Sequence, residues 1–303
     1  MPSDFPFENV ALISVTYKSE KLAQHLAHTA SLFRHVWIID NNSQDDTIAA
    51  YRQAIPHATI VAQSINAGFG PANNVGFEAS RADCQRALFI NPDCTISEAA
   101  IRLLLEAADT HPDAAIISPI VFSTATQGAN LKLRDYGAGY PAGQVRDLPY
   151  SHTLPAVIED ACLDGACFLV DSEKFASIGA FDNNIFMYSE EDDISLRVHK
   201  SRFRKITVRD AHAQHLGGAS STSSTRVELR KKYHQKWAVF YMLGKHKSPA
   251  VSKIAAGKTL LVAPIAILLY ALLLQKRNFL KWSGWMLAAL DTLSGKRYFQ
   301  NHI

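Results

Sequence analysis

The sequence predicts an α/β fold in which a mostly parallel sheet is flanked by helices. Apolar runs typical of buried strands lie at Val10–Val15, Val36–Ile39, Thr59–Val61 and Ala87–Ile90, with helical patterns between them. This alternation indicates parallel pairing, because consecutive parallel strands need a crossover connection. With 303 residues, 48% of them hydrophobic, the chain is long enough for one large core and a small appendage.

Further elements follow from local patterns. Residues 20–33 carry a stripe of apolar residues and predict a helix that covers the sheet. Residues 97–110 predict a second such helix, for which Ser97 is a suitable N-cap. Residues 162–170 read as a strand, and 172–178 as a short helix that ends at Gly179.

Between Ser123 and Asp160 the periodic pattern stops. This Gly-, Pro- and Tyr-containing stretch is too long for a simple connector in a compact domain, and such segments often carry function.

Composition argues against several functional classes. The net charge of +3, from 31 basic and 28 acidic residues, gives no support for nucleic-acid binding by the whole molecule. The four cysteines show no zinc-binding spacing and fit a reducing cytosol. The first residues, MPSDFPFENV, have neither the basic nor the apolar segment of a secretory signal, so we expect a cytoplasmic catalytic part.

The C-terminal region predicts membrane association. Thr259–Leu274 contains 16 residues without a charge, which is short for a spanning helix of about 20 residues. Phe279–Leu290 places Trp282 and Trp285 beside lysine and small residues, as in helices at the lipid headgroup level. We favour an embedded segment over a spanning one, with a buried core helix as the alternative. The predicted domains are therefore 1–245, catalytic, and 246–303, helical and membrane-associated.

Two polar segments predict a nucleotide site. Val36–Ser43 ends a strand in Asp40, Asn41 and Asn42, and open α/β sheets bind ligands at the carboxyl ends of strands. Turn formation is the alternative for these residues. Asn66–Phe77 mixes glycines, which let backbone approach a ligand, with asparagine amides. The segment lacks the Lys-Ser/Thr ending of a P-loop, and no GxGxxG follows a strand.

A third segment, Leu88–Asp93, again runs from a strand into a carboxylate. Mg²⁺ and Mn²⁺ favour oxygen ligands and often share them with substrate phosphates, so Asp93 is a candidate metal ligand. A turn residue is the alternative. Downstream, His215 precedes a Gly- and Ser-rich stretch and is a candidate for a metal or phosphate contact. Arg226 follows that stretch and is placed to reach a diphosphate if the loop closes.

The fourth segment, Phe186–Arg197, crowds four carboxylates together. Adjacent carboxylates raise one another's pKa, which suits a general base near neutral pH. A solvated acidic helix N-terminus is the alternative. Asp193 and Arg197 are one helical turn apart and are expected to pair, which leaves Glu190 and Glu191 for a cleft.

In this order the motifs resemble the family 2 glycosyltransferases of the GT-A fold, and among them the rhamnosyltransferase-like branch. The resemblance covers about residues 10 to 245. It rests on VTYKS (15–19), DNNSQDDT (40–47), NAGFGPANNVGF (66–77), NPD (91–93), DGACFLV (164–170), FDNNIFMYSEEDDISLR (181–197) and HLGGAS (215–220).

The resemblance implies a nucleotide-sugar site and a catalytic base. It places Thr16, Asp40 and Asn42 around the base and ribose, and the loop that contains Asn66, Gly68 and Asn73 near the nucleotide. Asp93 would hold a divalent cation, Mg²⁺ or Mn²⁺, with His215 as a further ligand, although Asn91 stands where many relatives have Asp. The base maps to Glu191, beside Glu190; relatives commonly carry Asp there, so the choice between the two stays open.

The implied activity is inverting transfer of a hexose, with dTDP-L-rhamnose favoured as donor. The implied acceptor is a polyprenyl-diphosphate-linked glycan at the inner face of the cytoplasmic membrane, in cell-surface polysaccharide synthesis. The alternatives are a UDP- or GDP-sugar donor, or an inactive nucleotide-sugar-binding or scaffold protein on the same fold. A sugar nucleotidyltransferase is disfavoured, since Val15–Ser19 has neither glycine nor arginine for a phosphate loop.

Overall fold

A computed structural model describes residues 5–124, 128–129, 131–134, 145–159, 161–217 and 224–296. These residues form two compact units. The sheet unit contains the described residues up to 134, together with 145–184 and 190–217. The helical unit contains 185–189 and 224–296. The domain division between 245 and 246 stays a prediction.

The sheet unit is built on one large mixed sheet. Its strands are β1 (Phe7–Thr16), β2 (Phe33–Asp40), β3 (Thr59–Ala62), β4 (Arg86–Ile90), β5 (Cys94–Ile96), β6 (Ala114–Ser123), β7 (Gly128–Ala129), β10 (Val157–Glu159), β11 (Cys167–Asp171) and β12 (Arg204–His215). The order is β10-β12-β6-β11-β4-β1-β2-β3, with β5 paired to β12 and β7 to β6. Strands β8 (Lys132–Arg134) and β9 (Val145–Asp147) form a separate antiparallel pair.

Parallel pairing dominates the part of the sheet that carries the predicted nucleotide motifs. Strands β4, β1, β2 and β3 are parallel neighbours, and β6 and β12 also run parallel. Strand β11 enters antiparallel between β4 and β6. The carboxyl ends of β1, β2 and β4 therefore lie at one edge of the sheet, and this edge carries the strand-end motifs.

Helices cover both faces of this sheet. They are α1 (Ala23–Ala30), α2 (Thr47–Ala54), α3 (Phe69–Ser80), α4 (Glu98–Thr110), α5 (Ser172–Ser177) and α6 (Glu190–His199). Successive residues of β1 alternate between two cores: Leu12 packs in the core that includes α1 and α4, and Ile13 in the core that includes α3, α5 and α6. Burial on both faces explains why the strands read as continuous apolar runs.

Two predicted elements have different bounds in the structure. The helix expected over 20–33 is a 3₁₀ turn at Glu20–Leu22 followed by α1, and Phe33 already begins β2. Its apolar stripe continues because Phe33 is buried in the same core. The strand expected over 162–170 begins only at Cys167, since Gly165 and Ala166 form a turn directly before it. Ser97 caps α4 as predicted and accepts a bond from the Ala100 amide at 3.2 Å.

The stretch between Ser123 and Asp160 contains short strands in its described parts, β7 to β10. Residues 218–220 of the HLGGAS motif lie outside the described residues, as does most of the Ser/Thr-rich patch that follows it.

The helical unit consists of α7 (Thr225–His246), α8 (Pro249–Leu272) and α9 (Lys276–Ser294), which pack against one another. Gly284 of α9 lies against α7, where an added Cβ would be 2.8 Å from the Tyr233 nitrogen. The buried Tyr233 hydroxyl donates to Asp291 at 2.6 Å. Among the described helices, α8 is long and apolar enough to cross a membrane, and most of its surface is uncovered.

Candidate functional site

The ends of β1 and β2 bring the first predicted residues together. Thr16 stands opposite Asp40 in the strand register, and its hydroxyl donates to Asp40 Oδ1 at 3.5 Å. Ser43 completes this cluster, because its backbone amide donates to Asp40 Oδ2 at 3.0 Å and its hydroxyl donates to Oδ1. Asn42 follows in the left-handed region, at φ 65°. The Asp40 carboxylate is thus held in one orientation at the strand end.

The glycine-containing loop is tied to this same strand end. The Asn41 side chain donates to the Gly68 carbonyl at 3.0 Å and accepts from the Ala67 amide at 2.9 Å. Asn66 Oδ1 accepts from the Gly68 amide at 3.1 Å. Gly68 has φ 100° and ψ 177°, a conformation that favours glycine, and helix α3 starts directly after it. The loop and the β2 end therefore form one rigid edge.

Asn73 is engaged inside α3 and not at the loop surface. It is 2% exposed, and its amide donates to the Phe69 carbonyl one turn earlier at 3.1 Å. Asn41, which is part of the predicted strand-end motif but was not among the residues placed around the nucleotide, makes the connection between the loop and β2 instead. The position of Asn41 directly after the strand-end Asp40 was the available signal for this contact. Residue type alone does not show which of the neighbouring asparagines faces the loop.

Asp93 and His215 meet through strand pairing. Strand β5 follows Asp93 directly and pairs with the end of β12, so that Cys94 lies opposite His215. The His215 ring nitrogen Nε2 lies 3.1 Å from Asp93 Oδ1. The hydrogen bond to Asp93 raises the pKa of His215 above its ordinary value, against the opposing effect of burial. The two predicted metal ligands are therefore adjacent.

The donor set fits a cation that is shared with a substrate. In the described part of the chain no group of three or more His, Cys, Asp or Glu side chains converges as a complete metal site. One carboxylate oxygen and one imidazole nitrogen do converge here. That pair suits a divalent ion whose remaining ligands are phosphate oxygens and water.

The acidic segment begins α6, and its four carboxylates have different surroundings. Asp193 is fully buried and accepts from Arg197 at 2.8 Å, as predicted. Arg197 also donates to the carbonyls of Ile178 and Ala180, which fixes α6 to the preceding turn. As one of the four carboxylates of the acidic motif, Asp193 is a third candidate catalytic residue beside Glu190 and Glu191, but its pairing with Arg197 favours a structural role.

Asp192 is paired with Arg134 of β8. Burial raises the pKa of Asp192, and the Arg134 guanidinium opposes that rise. Arg134 belongs to the long segment without a periodic pattern, and nothing in its local sequence indicated this contact. The residue joins that segment to the acidic motif.

Glu191 has the surroundings of a general base. Glu191 is half-buried at the start of α6, with its carboxyl group against Gly165. Burial raises the pKa of Glu191 to about 7; the Glu191 backbone amide opposes the rise, and the negative charges of Asp164 and Asp192 add to it. At neutral pH, such a carboxylate is an effective proton acceptor.

Gly165 makes room for this carboxylate. A Cβ at position 165 would lie 1.9 Å from Glu191 Oε1, so any larger residue displaces the Glu191 side chain. The neighbouring Asp164 accepts from the Ala166 amide at 3.0 Å. Its charge raises the pKa of both Glu191 and His215, which places the three groups in one electrostatic environment. Asp164 and Gly165 are thus site residues that sequence reasoning missed, although both lie in the DGACFLV string.

Comparison with known proteins agrees with this geometry. The model of the family described as "Glycosyl transferase family 2" matches residues 13–163, which contain the β1, β2 and β4 strand-end motifs. The chain belongs to the family 2 glycosyltransferases. The match confirms the expected family, and the enzyme class is that of a glycosyltransferase.

Two similar proteins are a rhamnosyltransferase and a hexosyltransferase. The chain is 26% identical over 255 residues to an N-acetylglucosaminyl-diphospho-decaprenol L-rhamnosyltransferase of Mycobacterium tuberculosis, covering 76% of this chain and 82% of the relative. It is 27% identical over 231 residues to a low-salt glycan biosynthesis hexosyltransferase, Agl10, of Haloferax volcanii, covering 73% of each chain.

Solved structures show the GT-A fold. The mannosyltransferase PcManGT of Pyrobaculum calidifontis, in complex with GDP-Man and Mn²⁺, superposes with a TM-score of 0.54 at 14% identity, covering 97% of this chain and 90% of that one. TarS residues 1–349 of S. aureus give 0.54 at 12% identity, covering 96% and 93%. The predicted fold class is therefore confirmed for this glycosyltransferase.

Arg226 belongs to the helical unit, whereas the other candidate residues belong to the sheet unit. It lies exposed in the first turn of α7, in the helical unit. Its predicted contact with the diphosphate stays a prediction.

Proposed function

We propose that this glycosyltransferase moves a sugar from a nucleoside diphosphate to a hydroxyl of a lipid-linked glycan with inversion, and that Glu191 is the base. The observation that carries the proposal is the half-buried Glu191 carboxyl group, which lies against Gly165 and near the charge of Asp164, with its pKa raised to about 7. Glu190, the alternative base, is buried with 4% exposure at the start of α6. Glu191 is partly exposed to solvent, whereas Glu190 is not. Because the base must reach the hydroxyl of the acceptor glycan, this difference favours Glu191.

The mechanism needs one proton acceptor and no covalent intermediate. Glu191 takes the proton of the acceptor hydroxyl. The hydroxyl oxygen attacks the anomeric carbon, while the bond from that carbon to the diphosphate breaks on the opposite face. The acceptor oxygen forms the new glycosidic bond, and the electron pair leaves with the nucleoside diphosphate. A single displacement of this kind inverts the anomeric configuration.

A divalent cation fits the Asp93 and His215 pair. The two side chains would hold it against the diphosphate, and the bound ion would supply positive charge that stabilises the leaving group. An imidazole ligand is more usual for Mn²⁺ than for Mg²⁺, which prefers oxygen alone. We therefore propose Mn²⁺ as the better of the two cations. The structural neighbour PcManGT was solved with Mn²⁺.

The nucleotide is proposed to lie along the edge formed by β1, β2 and the glycine loop. Thr16, Asp40 and Asn42 stand at the strand ends for the base and ribose, with Asn66 and Gly68 in the adjoining loop. Asn73 supports this loop from within α3. The rigid hydrogen bonding of Asp40 to Ser43 favours one fixed orientation of the ligand.

The donor and acceptor are proposed from the relatives. A rhamnosyltransferase that acts on a decaprenyl-linked sugar covers most of this chain, which supports dTDP-L-rhamnose and a polyprenyl-diphosphate-linked glycan in cell-surface polysaccharide synthesis. The exposed apolar face of α8 supports a peripheral or monotopic site at the inner face of the cytoplasmic membrane. A UDP- or GDP-sugar is the alternative donor, and the structural neighbour PcManGT was solved with GDP-Man.

One experiment separates these possibilities. Purified protein with Mn²⁺ or Mg²⁺ is tested against dTDP-, UDP- and GDP-sugars for thermal stabilisation and for transfer to a short polyprenyl-diphosphate-linked sugar in detergent. We expect the dTDP-sugar to give both signals, and Glu191→Gln to keep stabilisation while losing transfer. Stabilisation without transfer by any donor in the wild type would instead support the inactive binding protein.

A further inference from the structure

The helical unit is much more basic than the net charge of +3 for the whole chain indicates. Residues 224–296 contain 13 Lys and Arg but only 2 Asp and Glu, whereas the full chain has 31 and 28. Of the two acids, Asp291 is buried and accepts from Tyr233. The surface of this unit is therefore strongly basic, and its partner should be anionic.

The same unit exposes an apolar helix face. One side of α8 packs inward through small residues that are buried. The other side exposes large apolar residues at helical spacing: Leu261 (77% exposed), Ile265 (71%), Leu268 (62%) and Leu272 (74%). Leu274, just beyond the helix, is 90% exposed. A basic unit with such a face has the two properties that peripheral membrane proteins combine.

Two lysines of this unit converge on one indole. Lys236 of α7 and Lys281 of α9 each place Nζ 4.5 Å from the centre of the Trp285 ring. Lys281 also lies 5.9 Å from the Trp282 ring. Within the residues that the structure describes, neither ammonium forms an ion pair with a carboxylate. Burial, and then the charge of Lys281, lower the pKa of Lys236. An anion bound beside the two ammonium groups would therefore stabilise their charged forms.

The position of this pair fits a headgroup. Lys281 is the sixth residue of α9, about 7 to 8 Å along the axis from the helix start and so close to the exposed leucines at the end of α8. Tryptophan and lysine side chains are both enriched at the membrane interface, where the indole contacts lipid and the ammonium contacts phosphate.

We propose that the helical unit binds an anionic membrane, with α8 in the apolar boundary and Lys236 and Lys281 holding a phospholipid phosphate over Trp285. This inference rests on the membrane association proposed above and names its lipid partner. A phosphate between two ammonium groups makes two charge-assisted hydrogen bonds, and the indole keeps both lysine stems in place.

The test is sedimentation of the full chain with vesicles of phosphatidylcholine alone or with added phosphatidylglycerol. We compare wild type with Lys236→Gln/Lys281→Gln. The matched control, Lys245→Gln/Lys247→Gln, removes the same charge from exposed positions on the same unit. Thermal unfolding of each variant checks that the helices remain packed.

We expect the wild type to prefer the phosphatidylglycerol vesicles and the Lys236/Lys281 variant to bind them at least tenfold more weakly, with a loss of no more than about threefold in the control. Equal losses of vesicle binding in the two variants would indicate diffuse electrostatic attraction to the basic surface and would overturn the specific Lys236/Lys281 site. Equal wild-type binding to both vesicle types would overturn the anionic partner while leaving membrane association intact. Binding to neither would refute both, and transfer in detergent would report the proposed reaction separately.

Inorganic phosphate without vesicles separates a lipid phosphate from a free one. We expect no thermal stabilisation by phosphate alone, because the proposed affinity depends on the lipid surface. Stabilisation that disappears in Lys236→Gln/Lys281→Gln would assign the pair to a soluble phosphate and overturn the lipid partner.

Discussion

Gly165→Ala should disable the proposed base without disturbing the fold. The new Cβ would lie 1.9 Å from Glu191 Oε1 and 2.9 Å from Cδ. Restoring an ordinary contact requires the carboxylate oxygen to move by about 1.5 Å. Displacements of about 1 Å in a reacting group can cost about 100-fold in rate, which is about 2.7 kcal/mol of transition-state stabilisation. We therefore expect kcat to fall about 100-fold.

Stability and donor binding should change little in this variant. The atoms that must move belong to the end of a flexible side chain, and Gly165 is not among the residues with positive φ. Thermal unfolding and donor titration measure these two properties, and steady-state transfer measures kcat. Gly257→Ala is the control, since nothing lies within 4 Å of a Cβ at that position.

A second substitution tests whether the clash itself causes the loss. Glu191→Asp shortens the side chain by one methylene, about 1.5 Å, which matches the displacement that the added methyl group would impose. Gly165→Ala/Glu191→Asp should therefore be more active than Gly165→Ala, so that the two changes are not additive. Unchanged kcat in Gly165→Ala, or equal losses of kcat and donor affinity, would refute the positioning of Glu191 by Gly165.

Four other outcomes follow from the same geometry. Glu191→Gln should lower kcat by about 10² to 10⁴ with unchanged donor affinity by titration, because only the proton acceptor is lost. In the wild type kcat should fall as pH drops below about 7, where Glu191 becomes protonated, and Asp164→Asn should move this limb of the pH profile to lower pH. Asp93→Ala should abolish the stabilisation that Mn²⁺ adds to donor binding in a thermal shift assay; equal stabilisation would refute the metal site. Asp193→Asn should lower the free energy of unfolding by about 3 to 5 kcal/mol, measured with denaturant, because Arg197 loses its buried partner; a wild-type value would contradict this.

The sequence predicted the fold well because the strands are buried on both faces. Runs such as Val36–Ile39 have no polar residue, and their spacing leaves room for one helix between strands. The bounds were less accurate where an apolar residue serves two elements. Phe33 continues the stripe of α1 but belongs to β2, and periodicity alone does not distinguish the two.

The candidate site was predictable where function follows from residue type at a strand end. Asp93 and His215 were both identified from the sequence. Their contact was not, because the two residues are 122 positions apart along the chain and meet only through the pairing of β5 with β12. Gly165 and Arg134 were missed for a different reason. Gly165 leaves space for the Glu191 carboxylate, and Arg134 pairs with Asp192. Neither role is visible in the local sequence, because each depends on a contact with α6.

The configuration of the product at the anomeric carbon tests the central proposal most directly. NMR of the donor and of the transfer product, with each anomer assigned from its one-bond carbon–proton coupling, gives this result directly, because neither a nucleotide sugar nor a glycoside mutarotates. Displacement by an acceptor hydroxyl activated by Glu191 predicts a product anomer opposite to that of the donor. Retention of the donor configuration would contradict the single displacement and with it the role of Glu191 as the base.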